Sequence, residues 1–315
     1  MGSPKIPLLA LVGPTAAGKS ALAMEVARRL GTGIISADSA QVYRGLDIGT
    51  AKPDAAEKRL IRHHLIDLVE PDEDYSVADY QRDARQLIAR LWRQGRLPFI
   101  VGGTGLYLQA VIADYAFGSR GKDEALRKRL NEEAEAAGPE ALHRRLEGID
   151  PAAALKIHPR DRRRIIRALE VYALEGTPIS QQVERTKKQE PPYRLLLFGL
   201  TRPRPLLYRL IEERTEAMLA RGFVDEVKGL LERGYPRSSP GLQILGYRQL
   251  AAYIAGEMER EEAVAAIKRE TRRLAKRQLT WFRREQRIIW IELPERSGLA
   301  APAEKIVKTA KEIFG

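Results

Sequence analysis

Apolar residues cluster in short runs at 8–12, 33–36, 63–69, 97–101, 195–200 and 287–293, separated by longer amphipathic stretches. Runs of this length suit buried strands. Between them the repeat lengthens to three and four residues. Leu22, Val26 and Leu30 fall at four-residue spacing ahead of Gly31, a helix stop. Val77, Tyr80, Ala84, Leu87, Ile88 and Leu91 likewise share one face of a single helix. Beyond the fifth run, helical patterns cover 203–221, 223–233, a short segment after the loop at 236–241, then 260–285 and 303–314. Strands alternating with amphipathic helices predict an α/β fold, a parallel sheet flanked by helices.

Between the fourth and fifth runs the pattern changes. From about Gly118 to Pro192 the chain is charged and helical, and Gly138-Pro139, Asp150-Pro151 and His158-Pro159 punctuate it. The strand pattern then resumes. A core formed by 1–117 and 193–315, interrupted by an all-helical insertion at 118–192, is therefore expected. The sequence has no internal repeat and no low-complexity tract.

Over 315 residues, a hydrophobic fraction of 44% is enough for a real core. Charge adds more. The formal net charge is +12, which suggests a polyanionic partner. Nine basic residues lie between Lys156 and Lys188 against four acidic ones, and nine more between Lys268 and Arg287 against Glu270 and Glu285. On the second stretch Val264, Ile267, Leu274, Trp281 and Phe282 can share an apolar face, leaving the arginines outward. A solvated charge run usually carries acidic partners at i,i+4. Here they are mostly missing, which favours nucleic-acid contact. The sequence has no Cys, which excludes a disulfide framework and a thiolate metal site. His63, His64, His143 and His158 show no metal-ligand spacing. No apolar run reaches membrane-span length, and residues 1–6 are too short for a signal peptide. A cytoplasmic monomer without membrane contact is the expectation.

The most specific chemistry follows the first run. Gly13-Pro14-Thr15-Ala16-Ala17-Gly18-Lys19-Ser20 fits the P-loop pattern G-x-x-x-x-G-K-[ST], with a strand before it and a helix after it. In such a loop the glycines let successive N–H groups point at one anion, and the helix N-terminus adds partial positive charge. Lys19 can then reach a terminal phosphate, and the Ser20 hydroxyl can sit on Mg²⁺. Asp38 follows the second run, and Gly102-Gly103-Thr104-Gly105 the fourth, so both belong at the crevice edge of the sheet. The residues alone would also suit a small-molecule kinase in which Asp38 activates a hydroxyl, or a nucleotide-dependent RNA-binding module. Asp38 equally suits a cap or an outer-shell metal ligand, Thr104 a helix cap, and Arg214 an ordinary surface ion pair.

Further stretches carry a resemblance over essentially the whole chain. They are Asp38-Ser39-Ala40-Gln41-Val42-Tyr43 running into Asp47-Ile48-Gly49-Thr50-Ala51-Lys52-Pro53, then Gly102-Gly103-Thr104-Gly105-Leu106-Tyr107. His158-Pro159-Arg160-Asp161 with Arg163-Arg164 and Arg167-Ala168-Leu169-Glu170 follow, then Gln243 with Gly246-Tyr247. In these motifs the chain resembles the tRNA dimethylallyltransferases, also called tRNA isopentenyltransferases. Its departures, Ala17 and Ser20 where Ser and Thr are common, keep the cradle and the metal hydroxyl.

The resemblance implies transfer of the dimethylallyl group from its diphosphate to the exocyclic amine of the adenosine 3′ of the anticodon in tRNA. Gly13 to Ser20 would hold the diphosphate with Mg²⁺ bound at Ser20. Asp38 would be the general base, Thr104 would hydrogen-bond near the reacting centre, and Arg214 would neutralise the diphosphate. Asp38, Ser39, Ala40 and Gln41, with Gln243, Gly246 and Tyr247, would read or stack on bases of the tRNA loop. Arg127, the run Arg162, Arg163, Arg164, Ile165 and Ile166, and Arg273 and Arg277 on the basic helix would complete the tRNA contacts. The helical insertion is expected to move on tRNA binding.

Overall fold

The computed structural model describes residues 5–113, 123–188, 190–295 and 298–315. The chain opens with β1 (Ile6–Val12), α1 (Lys19–Leu30), β2 (Ile34–Ala37), α2 (Ala55–Leu60), β3 (His63–His64), α3 (Val77–Arg93), β4 (Phe99–Gly102) and α4 (Gly105–Ile112). A helical segment follows: α5 (Glu124–Ala137), α6 (Pro139–Ile149), α7 (Pro151–Ala154), α8 (Arg162–Glu175) and α9 (Ile179–Lys188). Next come β5 (Tyr193–Thr201), α10 (Arg204–Ala220), α11 (Phe223–Glu232), α12 (Tyr247–Ile254), α13 (Arg260–Phe282), β6 (Ile289–Glu292) and α14 (Ala300–Phe314). Two compact units result, Met1–Ile112 with Tyr193–Gly315, and Ala113–Pro192. The expected boundary near Gly118 and the side chains of Lys187 and Lys188 lie outside what is described.

The first unit is a six-stranded parallel sheet in the order β3-β2-β4-β1-β5-β6, flanked by helices as in P-loop NTPase-like cores. β1 lies between β4 and β5 and is apolar on both faces, as a central parallel strand must be. Leu8, Ala10 and Val12 point into one core cluster, shared with α3, α4, α11, α12 and α13. Leu9 and Leu11 point into the other, shared with α1, α10 and α14. Full burial of each large side chain contributes about 1.5–3 kcal/mol, so both layers hold the sheet.

One expected strand is mostly absent. The 63–69 run pairs with β2 only at His63–His64, because Leu65 and Asp67 adopt φ of 59° and 56° and turn the chain out of the ladder. The chain returns as a single bridge from Val69 to Tyr43.

The second unit packs α5, α6 and α8 around Leu126, Leu130, Leu142, Leu146, Ile165 and Leu169. Asp123, Asp150 and Asp161 cap α5, α7 and α8 by accepting from backbone N–H groups of the first turn. Among the described residues, no helix is long and apolar enough to cross a membrane.

Candidate active site

The C-terminal ends of β1, β2 and β4 meet at one edge, where Val12 and Ala37 both register with Gly102. Each strand end therefore delivers its loop to the same place. Gly13 must lack a side chain, since a Cβ there would lie 2.2 Å from the Leu200 carbonyl oxygen. Gly18, in the left-handed region at φ 94°, turns the loop into α1. A cavity of about 500 Å³ opens above, lined by Thr15, Lys19, Ser20, Asp38, Gln41, Arg214 and Gln278 together with apolar Met24, Ile34, Val101, Leu210 and Met218. Its lining combines the cations Lys19 and Arg214 with apolar side chains.

The charges there are coupled. Desolvation, then the positive charge of Arg214, lower the Lys19 ammonium to about 7, with Asp38 acting in the opposite sense. Its Nζ donates to the Pro14 carbonyl at 2.6 Å. Burial also lowers Arg214, again opposed by Asp38. Arg214 Nη1 donates to Thr15 Oγ1 at 3.4 Å, which brings α10 to the P-loop. Two cations held close together in a desolvated cleft, short of negative charge, form a site for an anion.

Of the residues expected here, Ser20 is exposed in the first turn of α1, whereas Ala17, within the loop, is fully buried. Asp38 Oδ1 accepts from Ala40 N at 2.9 Å, which tightens the turn after β2. Thr104 stands directly before α4, its carbonyl accepting from Leu108 N, but its hydroxyl bonds elsewhere. Its Oγ1 accepts from Ser39 N at 3.1 Å and donates to Ser39 Oγ at 3.3 Å. Gln41 is committed within its own loop: its Oε1 accepts from Ser36 Oγ at 2.8 Å, and its Nε2 donates to the carbonyls of Thr50 and Ala51.

The residues expected to contact tRNA are placed as follows, and the stacking role expected of Tyr247 requires correction. Tyr247 has no exposed surface, donates its hydroxyl to Glu226 at 2.6 Å and meets Phe223 edge-on, so its ring is a packing element rather than a platform for a base. Gly246 is also buried, its N–H donating to Gln249 Oε1, while Gln243 remains exposed with Nε2 donating to the Arg237 carbonyl. Ile165 and Ile166 belong to the core of the helical unit. Arg127 forks onto the buried carboxylate of Glu170 at 2.7 and 2.9 Å. Burial alone would raise that carboxyl, but Arg127, Arg167 and the Asp123 N–H hold it below its usual value. Arg162 donates to Asn131 and Glu135, and Arg164 pairs with Asp161. Arg163 is exposed.

On α13 the buried residues are Ala263, Ala266, Ile267, Ala275 and Phe282, while Trp281 is 40% exposed, contrary to its expected place in the apolar face. Two cations without an acidic partner at i,i+4 on their own helix find one across the helix pair: Lys268 pairs with Glu216 and Arg272 with Glu212, both on α10. Arg269, Arg273, Lys276 and Arg277 are exposed.

Three contributors were not anticipated. Gln278 bonds to the P-loop and to the loop after β4. Glu226 accepts from the N–H groups of Asp47, Ile48 and Gly49. Lys52, fully buried at its head, donates to the Tyr43 carbonyl, Asp47 and Asp67. The one sequence signal for Gln278 is a polar residue at i+3 from Ala275 and i−4 from Phe282, between two buried positions of one helix face.

A family model described as IPP transferase matches residues 41–285. The tRNA dimethylallyltransferase of Moorella thermoacetica is 55% identical over 296 residues, covering 92% of this chain and 91% of that protein. The full-length tRNA isopentenylpyrophosphate transferase of Bacillus halodurans, a crystal structure, matches with a TM-score of 0.73 at 42% identity, covering 98% of each chain. Crystallographic snapshots of a eukaryotic dimethylallyltransferase acting on tRNA match with a TM-score of 0.79 at 25% identity, covering 97% of this chain and 77% of that one. On the extent of these matches, the chain belongs to the IPP transferase family.

Proposed function

We propose that this chain is a tRNA dimethylallyltransferase, moving the dimethylallyl group of dimethylallyl diphosphate onto the exocyclic amine of the adenosine 3′ of the anticodon. One observation carries the reading: the Asp38 carboxylate lines the same cavity as Lys19 and Arg214. A cationic cradle and a base are what this displacement needs. The allylic carbon–oxygen bond breaks as negative charge grows on the departing diphosphate, which Lys19, the loop N–H groups and Arg214 are placed to hold. The carbon–nitrogen bond forms at the amine, whose proton passes to Asp38. Because that lone pair is delocalised into the ring, the amine is a poor nucleophile until the proton is taken. Thr104, bonded to Ser39 in the turn beside Asp38, would steady this edge and offer its hydroxyl to the adenine.

The donor set suits Mg²⁺ delivered with the substrate. Among the described residues there is no group of three or more His, Cys, Asp or Glu fit to hold a metal, but Ser20 and Asp38 line the cavity. Mg²⁺ is commonly held by one or two protein oxygens, waters and substrate phosphates. When bound at Ser20 it would neutralise charge on the leaving group. The acceptor base must be splayed out of its loop to reach Asp38. Arg163, Gln243, Arg273 and Arg277, all exposed, remain candidates to grip the RNA around it. The reading includes a monomer working in the cytoplasm.

The test is label transfer from dimethylallyl diphosphate to unmodified tRNA with Mg²⁺, run beside ATP. Wild type should label tRNA adenosine, and Asp38→Ala should slow transfer by roughly 10²–10⁴-fold while still binding the donor. ATP turnover with no label in tRNA would instead identify a kinase.

A further inference from the structure

We propose that Gln278 is a positioning residue for the transfer, its side-chain amide locking the P-loop to the strand-end loop that carries Thr104 and thereby setting affinity for the donor diphosphate. This rests on the transfer reading above.

The amide spans two loops that the sheet alone does not connect. Its Oε1 accepts from Thr15 N at 2.8 Å, and its Nε2 donates to the Gly103 carbonyl at 3.0 Å. These partners fix the amide orientation, since an N–H faces the oxygen and a carbonyl the nitrogen. Gln278 is part-buried on α13, at the cavity edge between Ala275 and Phe282, which are both sealed from solvent. A polar group there is costly unless bonded, and both of its bonds go to the backbone of the candidate site. Thr15 is also held through its side chain, Oγ1 accepting from Arg214 Nη1 at 3.4 Å. Losing Gln278 therefore frees Thr15 and weakens the hold on Arg214. The Thr15 N–H is spent on Gln278, so the backbone of this P-loop residue acts through its place in the loop and not by donating to the ligand.

The bridge can also be disturbed from its far end. A Cβ at Gly103 would lie 2.5 Å from Gln278 Nε2, whereas its next contact outside that side chain, the Gly13 carbonyl oxygen at 3.5 Å, is ordinary. Gly103→Ala therefore displaces the Gln278 amide and little else. The two substitutions form a cycle with a definite sign.

The experiment measures the dissociation constant of dimethylallyl diphosphate with Mg²⁺ by calorimetry, without tRNA, in wild type, Gln278→Ala, Gly103→Ala and the double variant. Donor KM, kcat and the tRNA dissociation constant are measured alongside. We expect each single variant to weaken donor binding and raise donor KM by about tenfold, equivalent to about 1.4 kcal/mol, with tRNA affinity within about twofold. The double variant should be no worse than Gln278→Ala alone, because the clash at Gly103 vanishes with the side chain. Equal weakening by Gly103→Ala in both backgrounds would overturn the proposal. So would wild-type donor affinity in Gln278→Ala, or parallel losses of donor and tRNA binding. Should Gln278→Ala fail to fold, Gln278→Asn, one methylene too short to span both partners, replaces it. A wild type that neither binds the donor nor labels tRNA refutes the transfer reading and this inference with it. One that transfers while the variants bind normally refutes only the inference.

Discussion

Lys19 has an ordinary side chain in an unusual setting. Desolvation and the Arg214 charge bring its ammonium to about 7, against an ordinary value near 10.5. Above about pH 7 the free protein therefore sheds this proton. A bound diphosphate supplies the missing negative charge and raises the group again, so the complex keeps the proton. Donor binding should then take up about one proton near pH 8, and affinity should fall as pH rises through the window above 7. Calorimetry in two buffers of different ionisation enthalpy reads the uptake directly, and Lys19→Met should abolish it. Binding by wild type with no proton exchange at pH 8 would refute this account. The lysine was visible as a P-loop residue, but its proton affinity was not, because that depends first on its burial in the folded cleft and then on Arg214 reaching it from α10.

At the scale of elements, the loop from Gln41 to Pro53 has almost no regular structure, yet it is held from two directions. Glu226, in the first turn of α11, accepts from the N–H groups of Asp47, Ile48 and Gly49 at 3.0, 2.7 and 3.2 Å, and from the Tyr247 hydroxyl. Lys52 ties the far end to the Tyr43 carbonyl and two aspartates. The Glu226 carboxylate thus does for this loop what a ladder does for a strand. Glu226→Ala would strand several part-buried donors and should cost about 3 kcal/mol, and Glu226→Gln, which keeps one acceptor oxygen, should cost less. Urea unfolding followed by circular dichroism provides the measurement. A change under about 0.5 kcal/mol, the level of an unremarkable surface substitution, would show that the clamp is not needed.

Across the whole molecule, basic charge is divided between structural and free positions. Lys268 and Arg272 are drawn into pairs with α10, whereas Arg273 and Arg277 on the same helix are exposed. If tRNA lies along this face, each phosphate contact releases counterions, so log affinity falls with log salt in proportion to the contacts made. Arg273→Ala with Arg277→Ala should flatten that slope by about two units, while Arg272→Ala should leave it nearly unchanged. Titrations of labelled tRNA at several salt concentrations distinguish the cases. Equal flattening by all three substitutions would mean that the ion pairs open on binding.

The sequence by itself determined the layered α/β plan, the interruption by a helical segment, the P-loop and the placement of Asp38 and Gly103 at strand ends. These follow from short continuous apolar runs, from a repeat of three to four residues, from glycine spacing and from chain order, all of which act over a few residues. Only the tertiary structure decided which side chains are spent on the protein itself. Gln278 meets Thr15 across 263 residues. Tyr247 and Arg127, expected as tRNA contacts, bond to Glu226 and Glu170. The 63–69 run looked like a strand but is turned aside by two left-handed residues. A side chain's partners depend on which faces pack together. That choice is settled by burial and by the pairing of distant polar groups, and no local pattern records it.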